Sequence, residues 1–203
     1  KLKRYNEIKN PIKRILFLGY SESQTKIIDA LITNNCLVDC TDEKIEPVIG
    51  YDYVISYGYR HILKQNVIDG FDCPIFNLHI SYLPYNRGAN PNFWSFYDNT
   101  PSGVTIHLID GGVDTGPIVM QQYVNFTKSD DTFAKTYAVL IECIESLFLE
   151  FLPSLINDDW KARKQRGVGT HYYARDLPSN FSGWNSNIEE ELERLDKEGL
   201  KYE

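Results

Sequence analysis

The sequence is poor in residues that staple or ligate. It has four cysteines, Cys36, Cys40, Cys73 and Cys143, and none forms a C-x-x-C pair. Their spacing fits neither a zinc site nor a disulfide framework, so they read as packing thiols in a reducing compartment. No adjacent His/Cys/Glu set points to a metal, and none is expected. Apolar runs are too short for a membrane-spanning helix. The start, KLKRYNEIKNP, is basic and polar with no apolar stretch. No secretory leader is therefore expected, and a cytoplasmic location is. Positive charge is scarce too: 21 Lys and Arg stand against 28 Asp and Glu, a formal net charge of −7. A nucleic-acid footprint needs a basic stripe, so nucleic acid is not an expected partner. The densest basic cluster is Lys161-Ala-Arg163-Lys164-Gln-Arg166. It reads as a solvated loop, or as a contact for the phosphates of a small substrate. Internal repeats and low-complexity tracts are missing.

What the chain does have is aromatic and aliphatic bulk: 14 Tyr, 10 Phe and 3 Trp, within 42% hydrophobic residues. That is the composition of a globular domain with one sizeable core. Residues 1–12 read as a loose arm. Short apolar runs ending near glycine predict strands at Lys13–Gly19, Cys36–Cys40, Tyr51–Tyr57 and Pro74–Leu78. Ser21-x-x-Gln24 has capping-box spacing and predicts the entry to a helix carrying Ile27, Ile28, Leu31 and Ile32. His61–Ile68 and Asn90–Tyr97 predict further helices, the second with Pro91 in its first turn. Val104–Ile109 and Ile118–Val124 predict strands. Asp131–Ile156 predicts a long helix whose apolar stripe is core or a subunit contact, compatible with a homodimer. Residues 13–157 thus form one expected domain. Residues 158–203 are an extension that runs over the surface, with a short strand near His171–Ala174 and a charged terminal helix, Ile188–Leu200. Alternating strands and helices imply an α/β fold with a mostly parallel sheet covered on both faces. Ligands in such sheets sit beyond the carboxyl ends of the strands.

Three features near those ends carry chemistry. Asn77 and His79 stand two apart in a strand, so an amide and an imidazole face one side together. Alone, this pair reads first as an incidental histidine beside a hydrogen-bonded asparagine. The loop Ser81-Tyr-Leu-Pro-Tyr-Asn-Arg-Gly-Ala-Asn-Pro91 is stiff, polar and aromatic, and suits a polar substrate. Asp114 sits in the glycine-rich turn GGVDTGP, where a backbone can pass close to a ligand and a carboxylate can pair with His79. His107, on the preceding strand, reads as structural support.

The conjunction is more specific than its parts. FNLHISYLPYNRGANPNFWS followed by SGVTIHLIDGGVDTGPIV resembles the folate-dependent formyltransferases, over roughly Lys13–Val124. The resemblance implies a Rossmann-like or flavodoxin-like sheet and N10-formyltetrahydrofolate as the one-carbon donor. It also implies a catalytic trio of Asn77, His79 and Asp114. It places the pterin between Tyr59-Arg60-His61-Ile62-Leu63 and the turn holding Asp110, Gly111 and Gly112. Arg60 and His61 read equally well as solvent-facing. Within the family, the HISYLPYNRG wording, SYGYRHIL and GTHYYARDL are most similar to nucleotide-sugar N-formyltransferases. That similarity implies a dTDP-4-amino-4,6-dideoxyhexose as acceptor, for glycan biosynthesis, with Tyr85, Asn86, Arg87, Gly88 and Trp94 expected to contact it. Ile80 departs from the proline that many members carry after the histidine. Two other readings stay open: formyl transfer to another small amine, and a folate-binding module that transfers nothing.

Overall fold

The computed structural model describes residues 1–199. Its strands are β1 (Lys3–Arg4), β2 (Lys13–Gly19), β3 (Cys36–Thr41), β4 (Tyr53–Tyr57), β5 (Ile75–His79), β6 (Arg87–Gly88), β7 (Gly103–Leu108), β8 (Ile118–Tyr123) and β9 (His171–Tyr172). Its helices are α1 (Ile27–Thr33), α2 (Gln65–Ile68), α3 (Pro91–Tyr97), α4 (Phe133–Asn157) and α5 (Ile188–Gly199). The predicted terminal helix therefore matches α5 up to Gly199, and Leu200 lies outside the described residues.

The main sheet has seven strands in the order β1-β3-β2-β4-β5-β7-β8. Pairing is parallel between β2 and β3, β2 and β4, and β4 and β5. It is antiparallel where β1 meets β3, β5 meets β7 and β7 meets β8. The sheet is α/β as expected, but mixed. β8 follows β7 through only the short Asp114 turn, too short for the crossover a parallel neighbour needs. The arm at the start is tied down. Lys3–Arg4 pair with β3, Arg4 Nε donates to Asp39 at 2.8 Å, and the Asn6 amide donates to the Cys36 carbonyl at 2.8 Å.

Alternation within β2 shows how the sheet is covered. Ile15 and Phe17 enter the larger core, beneath α1 and α4, while Leu16 and Leu18 enter a smaller one with Val54, Val67 and Phe71. All four are fully buried. Such a strand needs an apolar layer on each side, which is why it reads as a continuous apolar run. A third cluster joins Phe93 and Trp94 of α3 to Phe133, Ile188 and Leu195. The 158–199 segment is thus packed, not merely laid over the surface. Arg163 bridges to Ile118, and β9 pairs in parallel with β6.

Two helix starts differ from expectation. Gln24 Oε1 does accept the Ser21 N–H at 3.0 Å, half of a capping box, yet α1 begins only at Ile27. The start is set from a distance: Glu145 of α4, 7% exposed, accepts from the Thr25 hydroxyl and, at 3.2 Å, from the Lys26 N–H. α2 begins at Gln65 because Lys64 is extended, leaving residues 59–63 as a loop beside the sheet's carboxyl edge.

Candidate active site

β5 ends with Asn77 and His79 pointing to one side, and its antiparallel partner β7 sets His107 opposite Asn77. The chain then runs through the 80–90 loop and returns. Asn86, with φ of 57°, is fully buried, and its side chain is held between Thr100 and Thr170. Its carbonyl accepts from His79 Nε2 at 3.0 Å. Two residues on, the Gly88 N–H donates to Asp114 Oδ2 at 2.9 Å. Gly88 has φ of 85°, and a Cβ there would stand 2.2 Å from the Tyr172 carbonyl, so only glycine brings this N–H to the carboxylate beside β9.

Asp114 is the hub. It adopts φ of 53°, in the left-handed region that Asp tolerates better than most residues. Its Oδ2 lies 3.6 Å from His79 Nδ1, within ion-pair reach but beyond a hydrogen bond. Its Oδ1 lies 3.3 Å from His107 Nε2 and accepts from the Asn77 amide at 3.3 Å. Asn77 also meets His107 Nε2 at 3.2 Å, while His107 Nδ1 faces the Leu108 carbonyl at 2.8 Å. Burial alone would push the Asp114 carboxyl up. The facing His79 ring, the His107 contact and the Gly88 N–H outweigh burial and hold it well below the usual carboxylate range. Gln165 fastens the turn from behind, donating to the carbonyls of Asp114 and Gly116 at 2.8 and 2.9 Å.

These groups open into a cleft of about 510 Å³. Tyr59, Arg60, His61, Ile62 and Leu63 form one wall, and Ile109, Asp110, Gly112 and Val113 another. Strand β9 and the residues after it, His171–Ala174, form a third. Gly111 is outside the lining; it packs where a Cβ would meet Gln65 Oε1 at 2.2 Å. Arg60 and His61 line this cleft and are also exposed to solvent. All four histidines of the chain, His61, His79, His107 and His171, line it.

The acceptor candidates separate. Gly88 lines the cleft. Arg87 is spent on Gln165 Oε1, at 3.1 and 2.6 Å from Nε and Nη2. Tyr85 borders a different cleft. Asn86 and Trp94 are scaffold, not contact surface: the first is fully buried with its side chain engaged, and the second is 5% exposed and stacked on Tyr172 at 3.7 Å. The family similarity that names both does not separate a residue facing a ligand from one holding the loop or the helix after it. A slot the sequence did not reveal lies next to His79 along the chain. It measures about 450 Å³ and is bordered by Ile80, Asn90, Asn92, Phe133, Tyr137 and Trp184.

An amide, an imidazole and a buried carboxylate, meeting at a strand end beside a large cleft, form a site for acyl transfer without a protein nucleophile. Residues 37–150 match the formyl transferase family. The match covers more than half of the chain, and the protein belongs to that family. Among its relatives is the dTDP-4-amino-4,6-dideoxyglucose formyltransferase of Mycobacterium tuberculosis H37Rv, 31% identical over 158 residues, 78% of this chain and 61% of that protein. The chain thus spans about three fifths of the length of this curated relative. The methionyl-tRNA formyltransferase of Elusimicrobium minutum is 39% identical over 102 residues, 50% of this chain and 30% of that one. A solved structure with a similar fold is the formyltransferase PseJ of Anoxybacillus kamchatkensis, in complex with UDP-4,6-dideoxy-4-formamido-L-AltNAc and tetrahydrofolate. Its TM-score is 0.79 at 35% identity, covering 87% of this chain and 96% of that chain.

Proposed function

We propose that the protein transfers the formyl group of N10-formyltetrahydrofolate to the amino group of a nucleotide-linked amino sugar, a dTDP-4-amino-4,6-dideoxyhexose, for glycan biosynthesis. The observation that carries this reading is the convergence of Asn77, His79 and Asp114 at the mouth of one cleft. The cleft lies in the size range of small-molecule sites and is walled by apolar side chains beside backbone, as a flat pterin requires. Tyr59–Leu63 and Ile109–Val113 would hold the pterin. The slot bordered by Ile80 is assigned to the acceptor, since its lining begins one residue after His79 in the chain. The names of the mycobacterial relative and of PseJ support a 4-amino sugar and differ in the nucleotide.

In the reaction, a bond forms between the acceptor nitrogen and the formyl carbon, and the bond from that carbon to N10 breaks. The proton lost by the amine is made good on N10. Negative charge grows on the formyl oxygen. Asn77, releasing one of its two N–H contacts, and His79, releasing the Asn86 carbonyl, are the donors assigned to it; such donors are typically worth roughly 3 kcal/mol each. Asp114 faces His79 Nδ1 at 3.6 Å and orients its ring. It also stands ready to take up the amine proton, directly or through water. No covalent intermediate on the protein is needed.

The same proposal includes a homodimer and a cytoplasmic setting. Leu149 of α4, 44% exposed, is the kind of apolar residue a subunit contact would cover. The test is a mass-spectrometric assay with the formyl donor and a panel of dTDP- and UDP-linked amino sugars. A gain of about 28 daltons, one added carbonyl, on a 4-amino sugar is expected. No gain on any sugar, with folate still bound, would move the acceptor to another amine or leave a binding module.

A further inference from the structure

The segment after α4 reaches back into the site from outside the stretch matched to the family, residues 37–150. Two of its side chains, Gln165 and Thr170, are half-buried and grip the backbone on which Asp114 and the partner of His79 are carried. Neither lines the catalytic cleft.

Gln165 uses both ends of its amide. Its Nε2 donates to the carbonyls of Asp114 and Gly116, at 2.8 and 2.9 Å. Its Oε1 accepts from Nε and Nη2 of Arg87, at 3.1 and 2.6 Å. The Asp114 turn is thereby fastened to Arg87, and the next N–H along the chain, that of Gly88, is the one donated to Asp114 Oδ2 at 2.9 Å. Asp114 stands at φ of 53°. A residue other than glycine keeps such a backbone only where its surroundings hold it there.

Thr170 does for His79 what Gln165 does for Asp114. Its hydroxyl accepts from the Asn86 N–H at 2.7 Å and donates to Asn86 Oδ1 at 3.2 Å. Its backbone brackets the same residue: the Thr170 N–H donates to the Pro84 carbonyl at 3.2 Å, and the Thr170 carbonyl accepts from the Arg87 N–H at 3.0 Å. Asn86, fully buried with φ of 57°, is thus held at its N–H and its side chain, and its carbonyl meets His79 Nε2 at 3.0 Å. Gly169 permits the approach, since a Cβ there would stand 2.2 Å from the Pro84 carbonyl.

We propose, on the basis of the reaction given above, that Gln165 and Thr170 are positioning residues for formyl transfer, Gln165 setting Asp114 and Thr170 setting His79 through Asn86. Neither side chain touches the reacting atoms. Each fixes the backbone from which a group of the trio takes its direction, and small displacements of such groups are costly to rate. The setting of the imidazoles can be read without turnover, so a failure of the reaction and a failure of this role are told apart.

The experiment compares the full parent chain with Gln165→Glu, Thr170→Val and Thr170→Ser. Gln165→Glu keeps an oxygen for Arg87 and loses both donors to the turn. Thr170→Val keeps the shape and loses the hydroxyl, and Thr170→Ser restores it. Melting temperature reports folding, and a folate titration reports the donor site. In folded Gln165→Glu and Thr170→Val, kcat should fall about tenfold to a hundredfold, with both KM values within about twofold of the parent. Thr170→Ser should recover most of the loss. Imidazole NMR signals, assigned by their absence in His79→Gln and His107→Phe, give the second readout. Gln165→Glu should displace the signals of His79 and His107, which both face Asp114. Thr170→Val should displace that of His79, and Thr170→Ser should return it. If Gln165→Glu does not fold, the Thr170 pair carries the test. An unchanged kcat in a folded variant overturns the role of that residue, as does a kcat that falls only in step with folate affinity or folded fraction. A parent chain that transfers formyl to no amine sinks the proposed reaction, and the signals then decide alone: unmoved imidazoles overturn the positioning role and displaced ones uphold it.

Discussion

Asn77 and His107 face each other across β5 and β7 and converge on the same oxygen, Oδ1 of Asp114. His107, 1% exposed, is therefore part of the support of the Asp114 carboxylate. Replacing His107 with Phe keeps the bulk and removes its three polar contacts, to Asn77, Asp114 and the Leu108 carbonyl. We expect kcat to fall about a hundredfold, the scale of a misplaced reacting group, with the affinity for folate unchanged. Steady-state kinetics beside direct folate titration measure this, and an unaltered kcat would make His107 only a packing residue.

Asp114→Asn removes the charge that faces both imidazoles. A loss of about 10²- to 10⁴-fold in kcat is expected if Asp114 serves the proton transfer and the orientation of His79. The same variant has a pH signature. The Asp114 carboxyl lies lower in the folded than in the unfolded chain. Its contribution to stability is complete above the unfolded value, about pH 4, and is lost as pH falls through the folded value. Melting temperatures should therefore drop less steeply with acid in Asp114→Asn than in the parent. Parallel curves would show that the carboxylate is not held by these partners.

Trp94 is stacked on Tyr172 within the third core cluster. Trp94→Ala should cost about 3–5 kcal/mol of stability, measured by chemical denaturation. An acceptor KM that rises without loss of stability would return Trp94 to the substrate.

The Tyr57 hydroxyl is buried and has no hydrogen-bond partner among the described residues. Tyr57→Phe removes a polar group already deprived of water, so stability should stay the same or rise by about 1 kcal/mol. A clear loss of stability would reveal a partner for this hydroxyl, such as a bound water.

The alternation of strands and helices was legible because β2 and its neighbours need apolar layers on both faces. The pair Asn77 and His79 was legible as i and i+2 in a strand. His107 was not. Its place opposite Asn77 depends on antiparallel pairing, and the β7–β8 register shifts beside it, between Ile106 and His107. The Asn86 carbonyl that receives His79 leaves no trace in the side-chain sequence. Nor does the role of Glu145, which starts a helix 120 residues away from it in the chain, at Thr25. The 171–174 wall was read as surface because its partner, β6, is only two residues long.

The clustering of all four histidines in one cleft gives the protein an unusual spectroscopic economy. Every imidazole resonance in its NMR spectrum originates there, with no bystander to subtract. A titration of ligand or acid followed through those few signals observes this cleft and nothing else, with no need for isotopic selection of a particular residue.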